Sequence, residues 1–145
     1  MKAPLLAGIA MILALAVATA DASGPVAEAS GKRPLLISNC VKPKFKPAKV
    51  IIACGDASLG ARELTWSKWT HKLALGTGTG RVNDCDPDCV HGTMKTGPMQ
   101  LLLSHPRTCS NGRRLFTKLH YTWTGGPPAG PVRSSVPVGC KLANL

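Results

Sequence analysis

The sequence predicts an all-β domain: a small disulfide-stapled sandwich or partly open barrel of about five to seven strands, with irregular Pro/Gly-rich tails. Three observations lead there. Between positions 50 and 123 the apolar residues recur mostly with a period of two, the spacing of a strand with one buried face. Turn signals separate those runs, Asn111-Gly112 the strongest of them. Six cysteines, an even number, lie behind what reads as an export signal, the pattern of a disulfide framework.

That signal is MKAPLLAGIAMILALAVATAD: one lysine, an apolar run from Ala3 to Val17, then Ala18-Thr19-Ala20 before Asp21. Charge, apolar run and small residues in that order define a secretory signal peptide over 1–20, cleaved after Ala20. The run is short for a membrane span of ~20 residues, so no transmembrane anchor is expected after processing. Residues 21–47 form a basic, Pro-containing lead-in. From Lys32 to Lys49 there are six basic residues and no acidic one. In VKPKFKPAK (41–49) two prolines remove backbone donors, which predicts an extended, polyproline-like segment.

The β domain is expected over 48–124. VIIA (50–53) reads as a short buried strand. ELTWSKWTHKLALG (63–76) fits both periods; Thr and Trp favour a pleated surface, and GTGTG (76–80) continues best as extended chain, so a strand is expected. Period-two geometry then sends Trp66 and Trp69 to opposite faces, one to the core and the other to a surface where its ring offers an aromatic contact. MQLLLSH (99–105) puts Met99, Leu101 and Leu103 on one face. LFTKLHYTW (115–123) puts Leu115, Leu119, Tyr121 and Trp123 on one face and Lys118 and His120 on the other. These two runs predict a hairpin over 98–123 with a disulfide-tethered loop. The remaining segment, 125–145, holds four prolines and four glycines and is expected to be an irregular tail tethered by Cys140.

Several segments, VIIACGDASLGARELTWSKW, ALGTGTG and NDCDPDC, resemble those of a family of small exported proteins of actinomycete bacteria. The resemblance covers roughly 46–123, and its ACGD and NDCxPxC signatures are the most specific part. It implies export and no particular chemistry. Members often carry a lipid-modified cysteine at the export signal; none stands at that position here, which favours release over anchoring. Cys40 and Cys140 lie outside the matching stretch, consistent with an extra bridge.

The disulfide scheme expected from the sequence joins Cys40 to Cys140, so tying both tails together. Cys54 then pairs with one of Cys85 and Cys89, and Cys109 with the other.

The chain carries a formal charge of +11. Removing 1–20 takes away only Lys2 among the charged side chains, leaving +10. Such a charge favours acidic partners. An anionic envelope polymer or an acidic protein is expected, engaged through Lys42, Lys44, Lys46 and Lys49. Nucleic acid is not expected, because the lead-in interleaves only Phe45 among its lysines.

VNDCDPDC (82–89) concentrates the chemistry-bearing residues. Asp84-x-Asp86-x-Asp88 resembles the start of a calcium loop, but the sixth and twelfth positions hold Cys89 and Lys95 where glycine and glutamate are needed. Cys85-x3-Cys89-x-His91 has tolerable zinc spacing, yet an oxidising compartment consumes the thiols. No metal and no cofactor are expected. The expected role is a stapled turn whose aspartates cap backbone N–H groups and pair with Arg81 or Lys95.

No catalytic constellation emerges. His71, His91, His105 and His120 are scattered. Gly55-Asp-Ala-Ser58-Leu-Gly60 lacks the spacing of a nucleophile elbow, and paired cysteines leave no thiol nucleophile. The expectation is a secreted, non-catalytic interaction module. Two alternatives remain. One is a small hydrolase using Asp56 and the Asp84–Asp88 loop; the other is a protease inhibitor presenting the 106–114 loop. Asn111-Gly112-Arg113, which also reads as an adhesion tripeptide, is first a turn.

Overall fold

The computed structural model describes residues 32–126 and 133–141; the expected signal segment 1–20 lies outside them. The architecture is all-β: a six-stranded antiparallel half-barrel with a small two-stranded sheet. The small sheet pairs β1 (Leu36–Ile37) with β2 (Pro43–Lys44). The large sheet runs in chain order through β3 (Val50–Ile51), β4 (Leu59–Trp69), β5 (Ala74–Asn83), β6 (Met94–Thr108), β7 (Arg114–Trp123) and β8 (Arg133–Pro137). The ambiguous 63–76 stretch is strand only in part: 63–69 ends β4, 70–73 is the turn, and 74–76 opens β5, so the expected single strand is a strand–turn–strand. Residues 98–123 are a hairpin, as the alternation predicts.

The inner face is apolar because the alternation places it there. Met99, Leu101 and Leu103 on β6 face Trp123, Tyr121 and Leu119 on β7 in direct register, and all six are buried. GTGTG explains itself in the same terms. Its glycines face inward: a Cβ on Gly76 would stand 2.7 Å from the Trp66 ring, and one on Gly80 2.5 Å from both Met99 and Trp123. Three large inner side chains thus occupy the space that β5 leaves empty, while Thr77 and Thr79 alternate outward.

Trp66 and Trp69 depart from the expectation of opposite faces. β4 carries an extra residue between Trp66 and Lys68 relative to β5. A bulge of this kind shifts the alternation by one, which returns Trp69 to the face of Trp66. Both rings lie in the core, 4.7 Å apart and edge to face. An earlier shift between Arg62 and Thr65, where Glu63 has φ 55°, does the same for Ala61 and Leu64.

The lead-in, expected to be extended and polyproline-like, contains the β1–β2 pair in its described part. Its described part is a strap across the open side of the half-barrel. Leu35 lies parallel to Leu115 on β7, donating to the Arg114 carbonyl and accepting from the Phe116 amide. Three residues later the Ser38 carbonyl accepts from Ile51 on β3. Residues 35–38 therefore bridge β7 to the first strand of the sheet. Leu36 fills the main core, while Ile37 joins Leu115 and Cys109 in a second small cluster. Two tryptophans fasten the strap: Trp69 Nε1 donates to the Pro34 carbonyl and Trp66 Nε1 to the Pro47 carbonyl, each at 2.9 Å. Proline carbonyls suit this task, since the residue needs no partner for an N–H of its own.

Within the Pro/Gly-rich tail, 133–137 pairs with β7 as the edge strand β8.

The disulfides correct the expected scheme: Cys40 joins Cys54, Cys85 joins Cys89, and Cys109 joins Cys140. The register accounts for each. The Ser38–Ile51 hydrogen bond brings the β1–β2 turn beside the end of β3, so Cys40 meets Cys54. β8 returns antiparallel along β7 and delivers Cys140 to Cys109 beside the strap. Cys85 and Cys89 close their own turn.

Candidate functional site

The strap carries the four lysines singled out by composition. Its tip is a turn in which Asn39 Oδ1 accepts from the Lys42 amide at 2.8 Å and Cys40 takes φ 66°. The Cys40–Cys54 bond fixes that turn to the sheet. After β2 the chain turns again at Lys46 (φ 46°), and the Ala48 carbonyl accepts from Leu64 on β4. Buried Pro47 and Val50 hold the return arm down, so the intervening side chains point outward.

Lys42, Lys44, Lys46 and Lys49 are all exposed. Among the described residues no ion pair joins any of them to a carboxylate; the pairs run instead between Arg62 and Glu63, His91 and Asp88, and Lys95 and Asp84. Lys44 and Lys49 converge on a notch of about 160 Å³, whose remaining walls are Ser38, Asn39 and Ile51. Beside them Val41 and Phe45 are about half exposed, at 52% and 48%. Phe45 stacks edge-on against Trp69 at 5.2 Å, and the Lys46 ammonium stands 5.8 Å from its ring. The exposed aromatic edge is thus Phe45, not a tryptophan. The signal for it lay in KPKFKPAK, where a single ring among lysines and prolines has no periodic partner.

The 82–93 loop is organised by its aspartates. Asp84 Oδ1 accepts from the amides of Thr93 (2.8 Å) and Asp86 (3.3 Å), and Oδ2 pairs with Lys95 at 3.0 Å. Asp88 Oδ1 accepts from Val90 and His91 amides at 2.9 Å, and its carboxylate meets His91 Nδ1. Asn83 ties the loop across itself, bonding the Cys89 carbonyl and the Cys85 amide. Arg81 reaches the Ala57 carbonyl at 3.5 Å. Asp56 caps the Ser58 amide at 2.9 Å.

These contacts hold the carboxyls below the ordinary aspartate range: Asp84 through the Thr93 amide and then Lys95, Asp88 through the His91 ring and amide, Asp56 through Ser58. Hydrogen bonds to the charged form favour it. Among the described residues no group of three or more His, Cys, Asp or Glu side chains could hold a metal ion. The thiols of Cys85 and Cys89 are consumed in their mutual bond.

The other sequence-derived candidates separate in space. His71 lies in the β4–β5 turn and His105 beside Ser104, while His120 faces outward on β7. The 109–113 turn is tight, with Gly112 (φ 73°) donating to the Cys109 carbonyl and Asn111 Oδ1 accepting from Arg113.

The class that fold and site define is a disulfide-stapled antiparallel β half-barrel with a basic strap. No protein-family model, no curated protein and no solved structure matches the chain. Three disulfides fit an oxidising environment. Among the described residues no helix is long and apolar enough to cross a membrane.

Proposed function

We propose that the protein is an exported, non-catalytic binding module that takes hold of an anionic polymer, in the cell envelope or outside the cell, through its strap. The observation that carries this reading is the notch between Lys44 and Lys49. Two ammonium groups, with no carboxylate paired to either among the described residues, flank a recess lined also by Ser38, Asn39 and Ile51. The backbone around them is held by a disulfide and two indole hydrogen bonds. A rigid mount reduces the ordering cost of binding, which otherwise offsets much of the gain from exposed charge contacts.

The rival readings have less support. A glycosidase acid needs a carboxyl raised toward neutrality, whereas Asp56, Asp84 and Asp88 are all lowered and all capped to backbone amides. A protease inhibitor needs an extended, protruding loop. Residues 106–108 and 114 belong to β6 and β7, which leaves only the tight 109–113 turn between them.

The test compares Lys44→Ser/Lys49→Ser with the charge-matched Lys68→Ser/Lys72→Ser, by retention on polyanionic resin and by co-sedimentation with isolated envelope. The strap variant is expected to lose about tenfold in affinity, two exposed contacts at ~0–1 kcal/mol each, and the control much less. Wild-type retention should fade with salt, as the Debye length shrinks from ~10 Å at 0.1 M to ~3 Å at 1 M. Equal losses in the two variants would reduce the strap to undirected net charge.

A further inference from the structure

The outer face of the sheet holds a second concentration of basic groups, remote in sequence from the strap. Register aligns Leu75, Leu102, His120 and Ser135 as one row across β5, β6, β7 and β8, and Thr77, Gln100, Thr122 and Arg133 as the next. All of these residues but Thr77 line an open groove of about 460 Å³. A second hollow of about 310 Å³ continues it past Ser135 toward Lys118 and Arg107.

The charge along this face is one-sided. From Cys89 to Leu145 the sequence contains no acidic residue, so β6, β7 and β8 carry cations only. Among the described residues Arg107, Lys118 and Arg133 form no ion pair with a carboxylate. Lys118 pairs with Pro137 and Arg133 with Thr122, so the two cations stand four residues apart along the β7–β8 pair, or roughly 14 Å at ~3.4 Å per residue. The imidazole of His120 and the hydroxyl of Ser135 lie between them, and Gln100 and Thr122 share the row of Arg133. Half-buried Leu75 and Leu102 form the floor.

We propose that this groove binds a short, linear anionic oligosaccharide carrying carboxylate or sulfate groups. Lys118 and Arg133 would take anionic groups at its two ends, and the polar side chains between would take its hydroxyls. The alternative ligand, an acidic peptide, suits the face less well. The backbone groups of β6 and β7 are already spent in the ladder on both sides, so an extended peptide laid across them would find few partners for its own N–H and C=O groups. A saccharide, whose polar groups are hydroxyls on every side, needs only side-chain partners. This site is separate from the strap and does not depend on it.

The experiment uses the full oxidised protein and titrates it with an oligogalacturonate, a heparin-derived hexasaccharide, a neutral malto-oligosaccharide and an oligoglutamate, followed by amide chemical shifts and calorimetry. Saturable shifts at Gln100, Thr122 and Ser135 are expected with at least one acidic saccharide and not with the neutral one. Lys118→Ser/Arg133→Ser should weaken the saturation read at those three amides roughly tenfold with an otherwise unchanged amide spectrum, while Lys44→Ser/Lys49→Ser should weaken any shifts at 38–49 instead. Shifts confined to 38–49, tighter binding of oligoglutamate, or no saturation with either acidic saccharide would overturn the assignment. Because the two variants alter different faces, loss of the strap's activity and loss of the groove's are read separately.

Discussion

Replacing Trp69 by phenylalanine removes the anchor that holds the start of the strap while keeping a ring in the core. Trp69 is 4% exposed, its indole N–H donates to the Pro34 carbonyl at 2.9 Å, and its ring meets Phe45, Trp66 and Phe116 at 5.2, 4.7 and 5.6 Å. The substitution strands the Pro34 carbonyl beside apolar side chains, at about 1–3 kcal/mol for an unsatisfied buried acceptor. The smaller ring adds a cavity term of about 1 kcal/mol. The expected loss is therefore about 2–4 kcal/mol, a large fraction of the ~5–15 kcal/mol typical of a folded domain. It should appear as a lower urea midpoint at unchanged slope, with a drop in Tm of roughly 10–20 °C. Limited trypsin digestion reports on the strap itself, and cleavage within Lys42–Lys49 should accelerate ahead of cleavage in the sheet. A loss below about 1 kcal/mol, with the strap still resistant to trypsin, would mean that the indole bond does not fasten it.

The disulfides should differ in worth by the length of chain each closes. Separations of 31, 14 and 4 residues correspond to about 3.7, 3.0 and 1.9 kcal/mol of unfolded-chain entropy. Paired Cys→Ala variants should rank in that order by urea denaturation, and a Cys85/Cys89 pair costing most would contradict it. Acid should destabilise the fold through the aspartate caps. Asp56, Asp84 and Asp88 are lowered in the folded state, so their contribution is present above the ordinary value of about 3.9 and is lost as pH falls through the folded one. Tm should hold between pH 7 and about 5 and fall below about 4, less steeply in Asp84→Asn; an identical acid slope in that variant would remove Asp84 from the account.

The parts of the fold legible in the sequence are those where burial follows local alternation. Met99, Leu101 and Leu103, or Leu119, Tyr121 and Trp123, declare their face without help from the rest of the chain. The tryptophans of β4 do not, because a one-residue bulge is invisible to periodicity and brings Trp69 onto the face of Trp66. The strap is illegible for a different reason. Its burial rests on Pro34, Leu36 and Pro47 meeting residues distant in the chain, and no local pattern encodes a docking across the open side of a sheet. Cysteine pairing fails likewise, since it follows from register. The basic residues of the strap are apparent from composition, yet the convergence of Lys44 and Lys49 on one notch is not. The outer groove was half visible, as the polar side of LFTKLHYTW; its partners on β5, β6 and β8 emerge only from the cross-strand rows.

The strap has a consequence for the order in which the molecule is assembled. Residues 34–38 precede every strand of the large sheet, yet Leu35 bonds to Arg114 and Phe116 at the start of its fifth strand, β7. Closing so long a segment is entropically costly until the intervening strands have paired. The hairpins β4–β5, β5–β6 and β6–β7 can each form from neighbouring chain, and so can the short Cys40–Cys54 and Cys85–Cys89 rings. During synthesis an early segment must therefore wait, apolar side chains and all, for β7 to emerge. The piece of this β structure that is made first docks only once β7, made some eighty residues later, is in place.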